Sequence, residues 1–180
     1  MVIMAKAIFG GSFDPPHIGH LEVIQQAITS LNIDELIVVP AFLNPFKSNS
    51  FAPADLRLKW LRSMTKDINK VSVSSFEVDK NRAVASIETI KHFKKDNEEI
   101  FLIIGADNLE SLSKWKDYEV LNKMINWVVA ARDGIKIPSE YKTLEVNKDI
   151  SATQLREQIQ EAYLDKSIAQ EIITFYTRKN

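Results

Sequence analysis

The sequence predicts a doubly wound α/β fold with a mostly parallel central sheet and helices on both faces. Short β-branched runs alternate along the chain with longer segments of helical period, and this alternation is typical of right-handed strand–helix–strand crossovers. The length of 180 residues is only a little above the roughly 150 expected of one domain. Because no repeat, low-complexity tract or linker divides the chain, residues 1–180 are predicted to form a single domain.

The elements follow in order from the spacing of apolar residues. An apolar run predicts the first strand over residues 2–9, and the turn-rich GGSFDPP follows it. Apolar side chains then recur at helical spacing over His17–Leu31, which predicts an amphipathic helix. Further strands are predicted over Glu35–Pro40, Val71–Val78, Glu99–Ile104 and Asn126–Ala131. Further helices are predicted over Ala54–Lys66, Ala85–Lys95, Thr153–Tyr163 and Ser167–Lys179, with a loop over residues 41–53.

Composition excludes several classes of protein. The chain carries 23 Lys and Arg against 24 Asp and Glu, a net charge of -1, which argues against nucleic-acid or membrane binding by bulk basic charge. The absence of cysteine excludes disulfides, thiolate catalysis and cysteine-based metal sites. No run approaches the roughly 20 apolar residues of a membrane span, and the first segment, with Lys6 inside its apolar stretch, is a poor signal peptide. We therefore expect a soluble cytoplasmic protein.

The 5 glycines are concentrated at the ends of predicted strands. Gly10 and Gly11 follow the first strand, Gly19 lies in the first turn of the first helix, and Gly105 ends a later strand. Ligands of open α/β sheets bind at the carboxyl ends of strands, so these glycines indicate backbone that a ligand approaches closely. The stretch GGSFDPPHIGH is neither GxGxxG nor a P-loop, which disfavours a hydride-transferring dinucleotide enzyme and a P-loop ATPase.

Two histidines begin the first predicted helix. His17 and His20 are three residues apart, so both imidazoles lie on one face of the helix, at an N-terminus that favours anions. Gly19 between them leaves backbone room for a bulky anion, and a polyphosphate would favour the protonated imidazoles. The pattern predicts a polyphosphate pocket. Three alternatives stay open: a metal site with Asp14, a general base paired with Ser12 as nucleophile, and a structural histidine pair that caps the helix.

A second anion site is predicted near the other end of the chain, in ISATQLR. Ser151 fits an N-cap, and Thr153 falls in the first turn of the helix that follows. Arg156, three residues later, reaches over the same face and can hold phosphate oxygens in a planar fork. Structural capping alone is the alternative for so short a pattern. Together with the histidine turn, the motif offers a second helix N-terminus for the same polyphosphate.

The stretches GGSFDPPHIGH and ISATQLR together resemble the HxGH and ISSTxxR motifs of a nucleotidyltransferase superfamily. More narrowly, the chain resembles the bacterial nicotinate-nucleotide adenylyltransferases, because NPFK, IIGADN followed by Trp115, and VVAARDG occur between those motifs in the family's order. The resemblance implies a Rossmann-like fold and the transfer of AMP from Mg-ATP to nicotinate mononucleotide. The transfer would be a direct in-line attack that releases pyrophosphate without a covalent intermediate. Mg²⁺ would be carried on the ATP phosphates with few protein ligands.

The resemblance also implies a role for each matching residue. His17 and His20 would bind the ATP phosphates and steady the charge that develops on the α-phosphate, while Thr153 and Arg156 would hold the β- and γ-phosphates. The catalytic residues would be His17, His20 and Arg156. Further ATP contacts are implied for Gly10, Gly11, Ser12, Phe13, Gly19, Gly105, Asp107, Arg132 and Ser151. Contacts to nicotinate mononucleotide are implied for Lys47, Ser86, Trp115 and Lys116.

The chain departs from the family pattern at four positions. Ala152 stands where the family has serine, and Phe46 stands where histidine is frequent. Lys116 replaces an aromatic residue, and Ser86 occupies the position of a threonine. The ATP motifs are thus nearly complete, and the departures gather at the acceptor end, where Lys116 could attract a negatively charged pyridine carboxylate.

Three alternative functions share parts of these motifs. A phosphopantetheine adenylyltransferase usually has threonine at the position of His17 and lacks the IIGADN…W arrangement. A class I tRNA synthetase also uses HIGH, but 180 residues without a basic surface leave no room for reading tRNA. A non-catalytic nucleotide sensor would not need both histidines. The sequence leaves open whether the chain forms a homo-oligomer, how strongly it prefers nicotinate over nicotinamide mononucleotide, and how far the 41–52 loop moves.

Overall fold

The computed structural model describes residues 4–132, 134–148 and 150–178. Within these ranges the strands are β1 (Ala5–Gly11), β2 (Glu35–Pro40), β3 (Val71–Val73), β4 (Glu99–Gly105), β5 (Asn126–Ala130) and β6 (Lys142–Leu144). They form one sheet in the order β3-β2-β1-β4-β5-β6, and every neighbouring pair is parallel. This arrangement confirms the predicted doubly wound, Rossmann-like α/β fold.

Helices connect the successive strands from β1 to β5, with two α-helices between β3 and β4, and further helices follow β6. The helices are α1 (Ile18–Ser30), α2 (Ala54–Thr65), α3 (Phe76–Asp79), α4 (Ser86–Phe93), α5 (Tyr118–Met124), α6 (Ala152–Glu157) and α7 (Ala169–Thr177), with 3-10 helices over Ala106–Lys114 and Glu161–Tyr163. No helix in the described ranges has the length and apolar character needed to span a bilayer. The chain moves outward from β1 to β2 and β3, then returns to β4 on the other side of β1. Strand order reverses there, and such a reversal creates a ligand-binding crevice at the carboxyl ends of the strands.

The sheet is covered on both faces. Along β1, Ala7 and Phe9 face one hydrophobic core, to which α1, α2 and α7 contribute, while Ile8 faces a second core built with α4 and α5. Strand β2 alternates between the two cores in the same way. Because both faces of the central strands are buried, their sequences are nearly continuous apolar runs rather than an alternation of apolar and polar residues.

Most predicted elements are confirmed to within a few residues. β2 has the predicted bounds, β4 ends at its predicted glycine, and β5 stops one residue early. Helices α1, α2, α4 and α7 lie inside their predicted ranges, although Lys179 is outside the described residues. β1 ends two residues later than predicted because Gly10 and Gly11 still pair with Val39 and Pro40 of β2. Residues 2 and 3 of that predicted strand are also outside the described ranges.

The predicted strand Val71–Val78 is wrong beyond β3. The chain leaves the sheet there and forms α3, where Phe76 N donates to Ser74 Oγ at 3.1 Å and Ser75 Oγ donates to Asp79 Oδ2 at 2.7 Å. Such local side-chain bonds compete with the strand ladder. β3 is also the edge of the sheet, so only one neighbouring strand holds it.

The predicted helix Thr153–Tyr163 is wrong as a single helix. α6 ends before Gln158, which takes an extended conformation with φ −140° and ψ 92°. Ile159 then packs against the first core, so the chain turns inward to bury an apolar side chain before the next 3-10 helix begins. The sequence interpretation also missed the 3-10 helix after β4, as well as α5 and β6. At seven and three residues, α5 and β6 are too short for apolar periodicity to be a clear signal.

Candidate active site

A cavity of about 440 Å³ opens at the carboxyl ends of β1, β4 and β5. Every residue predicted to contact ATP or the acceptor lines it, although these residues come from well separated stretches of the chain. They are Gly10, Gly11, Ser12, Phe13, His17, Gly19, His20, Lys47, Ser86, Gly105, Asp107, Trp115, Lys116, Arg132, Ser151, Thr153 and Arg156. The fold thus brings the whole predicted site together, and the roles of the individual residues stay predictions.

The turn between β1 and α1 is held in place by Asp14. This residue is 4% exposed, and its carboxylate accepts hydrogen bonds from Phe51 N at 2.7 Å and Ala52 N at 3.0 Å. The hydroxyl of Tyr176 on α7 donates to the same carboxylate. Asp14 therefore attaches the turn to the end of the 41–52 loop and to the C-terminal helix.

Arg57 of α2 attaches the same turn to both ends of the 41–52 loop. Its side chain is completely buried, and burial lowers the pKa of the guanidinium, an effect that the nearby carboxylate of Asp14 opposes. The guanidinium donates to four backbone carbonyls at 2.5 to 3.0 Å, those of Ser12, Ala41, Phe42 and Ala52. With its donors committed to backbone, Arg57 holds the shape of the cavity rim.

His17 and His20 stand at the start of α1 with stacked rings, their centroids 3.7 Å apart. His20 Nδ1 accepts a hydrogen bond from His17 N at 3.1 Å, so a neutral His20 carries its proton on Nε2 and can donate it. His17 Nδ1 is buried and has no hydrogen-bond partner among the described residues. It lies beside Gly19, where an added Cβ would come within 3.0 Å of it. The glycine therefore leaves space at this nitrogen.

Burial keeps both histidines neutral. It lowers the pKa of His17 to about 3, with a smaller contribution from the positive charge of Arg132. Burial also places the pKa of His20 well below its usual value, with added repulsion from His17 and Arg132. A bound anion would act in the opposite direction, because nearby negative charge favours the imidazolium form.

Arg156 reaches the cavity from α6. Its Nη2 donates to Thr153 Oγ1 at 3.1 Å, and its Nη1 donates to the backbone carbonyl of Asp14. The guanidinium carbon lies 4.3 Å from the centre of the Phe51 ring. Thr153 and Arg156 thus lie on one face, as predicted, and the arginine is oriented before any ligand binds.

The segment before α6 is hydrogen-bonded to α1. This attachment explains how the histidine motif of α1 and the ISATQLR motif of α6 come to face one cavity. The carboxylate of Glu22 accepts hydrogen bonds from Asn147 N and Lys148 N, each at 3.0 Å. Ser151 is the N-cap of α6, as predicted, and its Oγ accepts from Gln154 N at 3.5 Å.

Asp107 and Arg132 form the wall beyond β4 and β5. Arg132 Nη1 lies 3.5 Å from Asp107 Oδ1, and Arg132 Nη2 donates to the carbonyl of Ile150 at 3.3 Å. A Cβ at Gly105 would lie 2.5 Å from Asp107 Oδ1, so a side chain there would displace the Asp107 carboxylate. Asp107 and Arg132, both predicted to contact ATP, are therefore joined to each other, and Arg132 is also joined to the segment that precedes α6.

The residues predicted to contact the acceptor are contributed by three segments of the cavity wall. Lys47 is exposed on the 41–52 loop, Ser86 is the first residue of α4, and the exposed Lys116 follows the last 3-10 turn after β4. Trp115 packs edge-on against Trp127 at 6.0 Å between ring centroids, and its Nε1 has no hydrogen-bond partner among the described residues. An aromatic ring, an N–H donor, a hydroxyl and two lysines suit an anionic aromatic ligand.

Glu77 of α3 lines the cavity but was missed by the sequence interpretation. The side chain is 7% exposed, and its Oε1 accepts a hydrogen bond from the hydroxyl of Thr89. Burial raises the pKa of Glu77 to about 7. No sequence signal marked it, because the segment was predicted as a strand.

Arg57 was also missed, although the sequence did contain a signal for it. It falls on the buried face of a predicted helix together with Leu58 and Leu61. A charged side chain at such a position has to find buried polar partners.

A metal site at the histidine pair finds little support. Among the described residues, no group of three or more His, Cys, Asp or Glu side chains could hold a metal ion. Asp14, the candidate third ligand, uses both carboxylate oxygens in hydrogen bonds to the 41–52 loop and Tyr176.

Known proteins resemble this chain over nearly its whole length. The sequence model of the Cytidylyltransferase-like family matches residues 8–158. A protein from Sulfurimonas denitrificans named "Probable nicotinate-nucleotide adenylyltransferase" is 50% identical over 174 residues, which cover 97% of this chain and 96% of that protein. The protein of the same name from Campylobacter fetus subsp. fetus is 44% identical over 179 residues, covering 98% and 99%.

A solved structure has the same fold. Plasmodium falciparum nicotinic acid mononucleotide adenylyltransferase complexed with NaAD aligns with a TM-score of 0.75 at 19% identity, covering 98% of this chain and 96% of that one.

Proposed function

This chain belongs to the cytidylyltransferase-like family and to the nicotinate-nucleotide adenylyltransferases within it, and on that premise we propose that it transfers AMP from Mg-ATP to nicotinate mononucleotide. The products are nicotinate adenine dinucleotide and pyrophosphate, in NAD biosynthesis. One observation carries the proposal: a stacked histidine pair and an oriented arginine line one cavity at the reversal of strand order. These groups suit the phosphates of a nucleotide.

The reaction asks for positioning and charge stabilisation rather than for a nucleophile from the protein. The phosphate of the mononucleotide attacks the α-phosphorus in line with the departing pyrophosphate, so no covalent intermediate forms. His20 donates a hydrogen bond from its Nε2–H to an oxygen of the α-phosphate and keeps its proton. The negative charge of the phosphates raises the proton affinity of both imidazoles, so an imidazole that becomes charged takes its proton from solvent.

Arg156 and Thr153 hold the leaving pyrophosphate. The guanidinium already has its orientation from the Asp14 carbonyl and Thr153, so little conformational freedom is lost when ATP binds. A planar fork can contact two phosphate oxygens at once.

Mg²⁺ enters as part of the substrate Mg-ATP. The side chains proposed to hold the phosphates, those of histidine, arginine and threonine, include no carboxylate, which is the usual protein ligand of Mg²⁺. The ion is therefore held by phosphate oxygens and water, where it offsets the charge of the polyphosphate.

The acceptor binds against Trp115, whose ring stacks on the pyridine, with Ser86 toward the carboxylate. Lys47 approaches the phosphate of the acceptor from the 41–52 loop, and Lys116 adds positive charge where the family usually has an aromatic residue. Asp107 and Arg132 contact the adenosine part of ATP.

The first test is pyrophosphate release by the purified protein with Mg-ATP. Nicotinate mononucleotide, nicotinamide mononucleotide and phosphopantetheine are offered in parallel, and we expect strong preference for the nicotinate compound. Pyrophosphate release with phosphopantetheine alone would support the proposed ATP site and rule out nicotinate mononucleotide as the acceptor. ATP binding without release for any acceptor would favour a nucleotide sensor.

A further inference from the structure

Glu77 is a buried carboxyl group in the cavity wall that the proposed reaction does not use. It belongs to α3 and lines the cavity together with Val84, Ala85 and Ser86. Its Oε1 accepts a hydrogen bond from the hydroxyl of Thr89, a residue of α4 that is itself buried. The bond joins α3 to the helix that begins at Ser86, so the carboxyl group lies in the wall assigned to the acceptor.

No positive charge neutralises this carboxyl group among the described residues. Glu88 of α4 is the charge that acts on it, and being negative it disfavours ionisation. Arg82, in the loop between α3 and α4, is paired with Glu88 at 2.8 Å. Burial and, to a smaller extent, Glu88 raise the pKa of Glu77 to about 7, against the opposing effect of the Thr89 hydrogen bond.

The other titratable and charged side chains on α3 and the neighbouring elements do not cause the raised pKa of Glu77. Asp79 accepts from the Ser75 hydroxyl, Lys80 lies over the Phe76 ring, and His92 stacks on that ring. The remaining groups are Glu35 on β2, Asp55, Arg57, Lys59 and Arg62 on α2, Lys91 on α4, and Lys47 and Lys116 on the cavity wall, and none of them is a cause of the raised pKa.

We propose that Glu77 is a specificity-determining residue whose protonation decides between a pyridine carboxylate and a pyridine carboxamide as acceptor. The inference rests on the proposed function, because that function places the pyridine substituent at the wall of Ser86 and Trp115. A protonated Glu77 presents no charge to the carboxylate of nicotinate mononucleotide. An ionised Glu77 repels that carboxylate where little water screens the two charges, while the uncharged carboxamide feels no such repulsion.

Acceptor binding and protonation are therefore coupled. The acceptor carboxylate raises the proton affinity of Glu77 by the same repulsion, so a proton from solvent moves onto Glu77 when nicotinate mononucleotide binds. Nicotinamide mononucleotide drives no such uptake at this residue. Selectivity between the two acceptors must then depend on pH.

The test measures kcat/KM for both mononucleotides with Mg-ATP between pH 6 and pH 9. The two acceptors share ribose and phosphate, so the ratio of their kcat/KM values cancels the titration of the phosphate and the histidines. In the wild-type protein this nicotinate-to-nicotinamide ratio should fall above about pH 7, by up to about tenfold per pH unit. In Glu77→Gln, which keeps an oxygen to accept from Thr89 but cannot ionise, the ratio should stay constant.

Two further variants keep the test decisive even if Glu77→Gln fails to fold. Glu88→Gln removes a negative charge, so the fall in the ratio should move to lower pH. Thr89→Val removes a hydrogen bond that favours the carboxylate, so the fall should move to higher pH.

Three outcomes would overturn the inference and leave the proposed function standing. The nicotinate-to-nicotinamide ratio of the wild type does not change with pH, the ratio of Glu77→Gln still falls with pH, or the ratio falls at the same pH in Glu88→Gln and Thr89→Val. Absence of transfer to both mononucleotides overturns the proposed function, and this inference with it.

Discussion

The imidazoles of His17 and His20 stack with ring centroids 3.7 Å apart and an angle of 26° between their planes. Burial disfavours the charge on each ring, and the positive charge of Arg132 adds to this effect on both rings, while His17 adds to it on His20, so the pKa of each lies below its usual value. The pair therefore offers neutral hydrogen-bond donors whose protonation is favoured only when an anion is bound.

His20→Ala should retain the fold and lower turnover by about 100- to 1,000-fold, the range typical for loss of one donor to developing charge. Steady-state pyrophosphate release measures the change, and circular dichroism checks the fold. His92→Ala is the matched control, because His92 is exposed and stacks on Phe76 outside the cavity. Turnover of His20→Ala close to wild type would remove the histidine from the mechanism.

His17 should make the protein less stable in acid. Its pKa is lowered in the folded state to about 3, so the unfolded chain takes up the proton first as pH falls below about 6.5. The stability contributed by the neutral ring is complete above that pH and is lost below it.

Between pH 7 and pH 5 the wild type should lose about 2 kcal/mol more than His17→Gln. Urea unfolding at both pH values measures this difference, and equal losses in the two proteins would contradict the lowered pKa.

Gly19→Ala should disturb His17 rather than the helix. The added Cβ would lie 3.0 Å from His17 Nδ1 and 3.2 Å from the Lys148 carbonyl, so the ring has to shift, and turnover should fall about tenfold or more (each 1.4 kcal/mol of barrier is tenfold). A double-mutant cycle with His17→Ala tests the cause. If the effect of Gly19→Ala is as large without the imidazole as with it, the loss does not act through His17.

Arg156→Ala should chiefly raise the KM for ATP, by about 10- to 100-fold, because hydrogen bonds to a charged group contribute about 1.5–3 kcal/mol. Initial rates at varied ATP separate KM from kcat. Arg156→Lys keeps the charge but loses the planar fork, and should lie between the wild type and the alanine variant. An unchanged KM in Arg156→Ala would place the phosphates elsewhere.

Arg57→Met should destabilise the protein by about 3 kcal/mol or more, because it leaves several buried carbonyls without a donor. Urea unfolding measures the change. Arg62→Met is the control: it makes the same substitution on the same helix at an exposed position, where the effect should be within about 0.5 kcal/mol. Similar losses in both variants would show that the four carbonyl contacts contribute little.

The local sequence pattern was sufficient to predict the central strands and helices of the fold. β2 and β4 are short apolar runs in a chain of alternating strands and helices. A strand that is buried on both faces of the sheet needs apolar residues along its length, whatever its position in the sheet. The motif residues could be recognised for a similar reason. His17 and His20 share a helix face through their spacing alone, and Ser151 caps α6 through a hydrogen bond to a residue three positions away.

Only the tertiary structure decided which polar side chains are buried and what they contact. Arg57 reaches carbonyls on both sides of the 41–52 loop, Asp14 is held by Tyr176 from the C-terminal helix, and Glu77 is buried because the chain leaves the edge of the sheet to form α3. Burial and the distance to charges far away in sequence set the pKa of a side chain, so neither the neutral histidines nor the raised pKa of Glu77 could follow from local spacing.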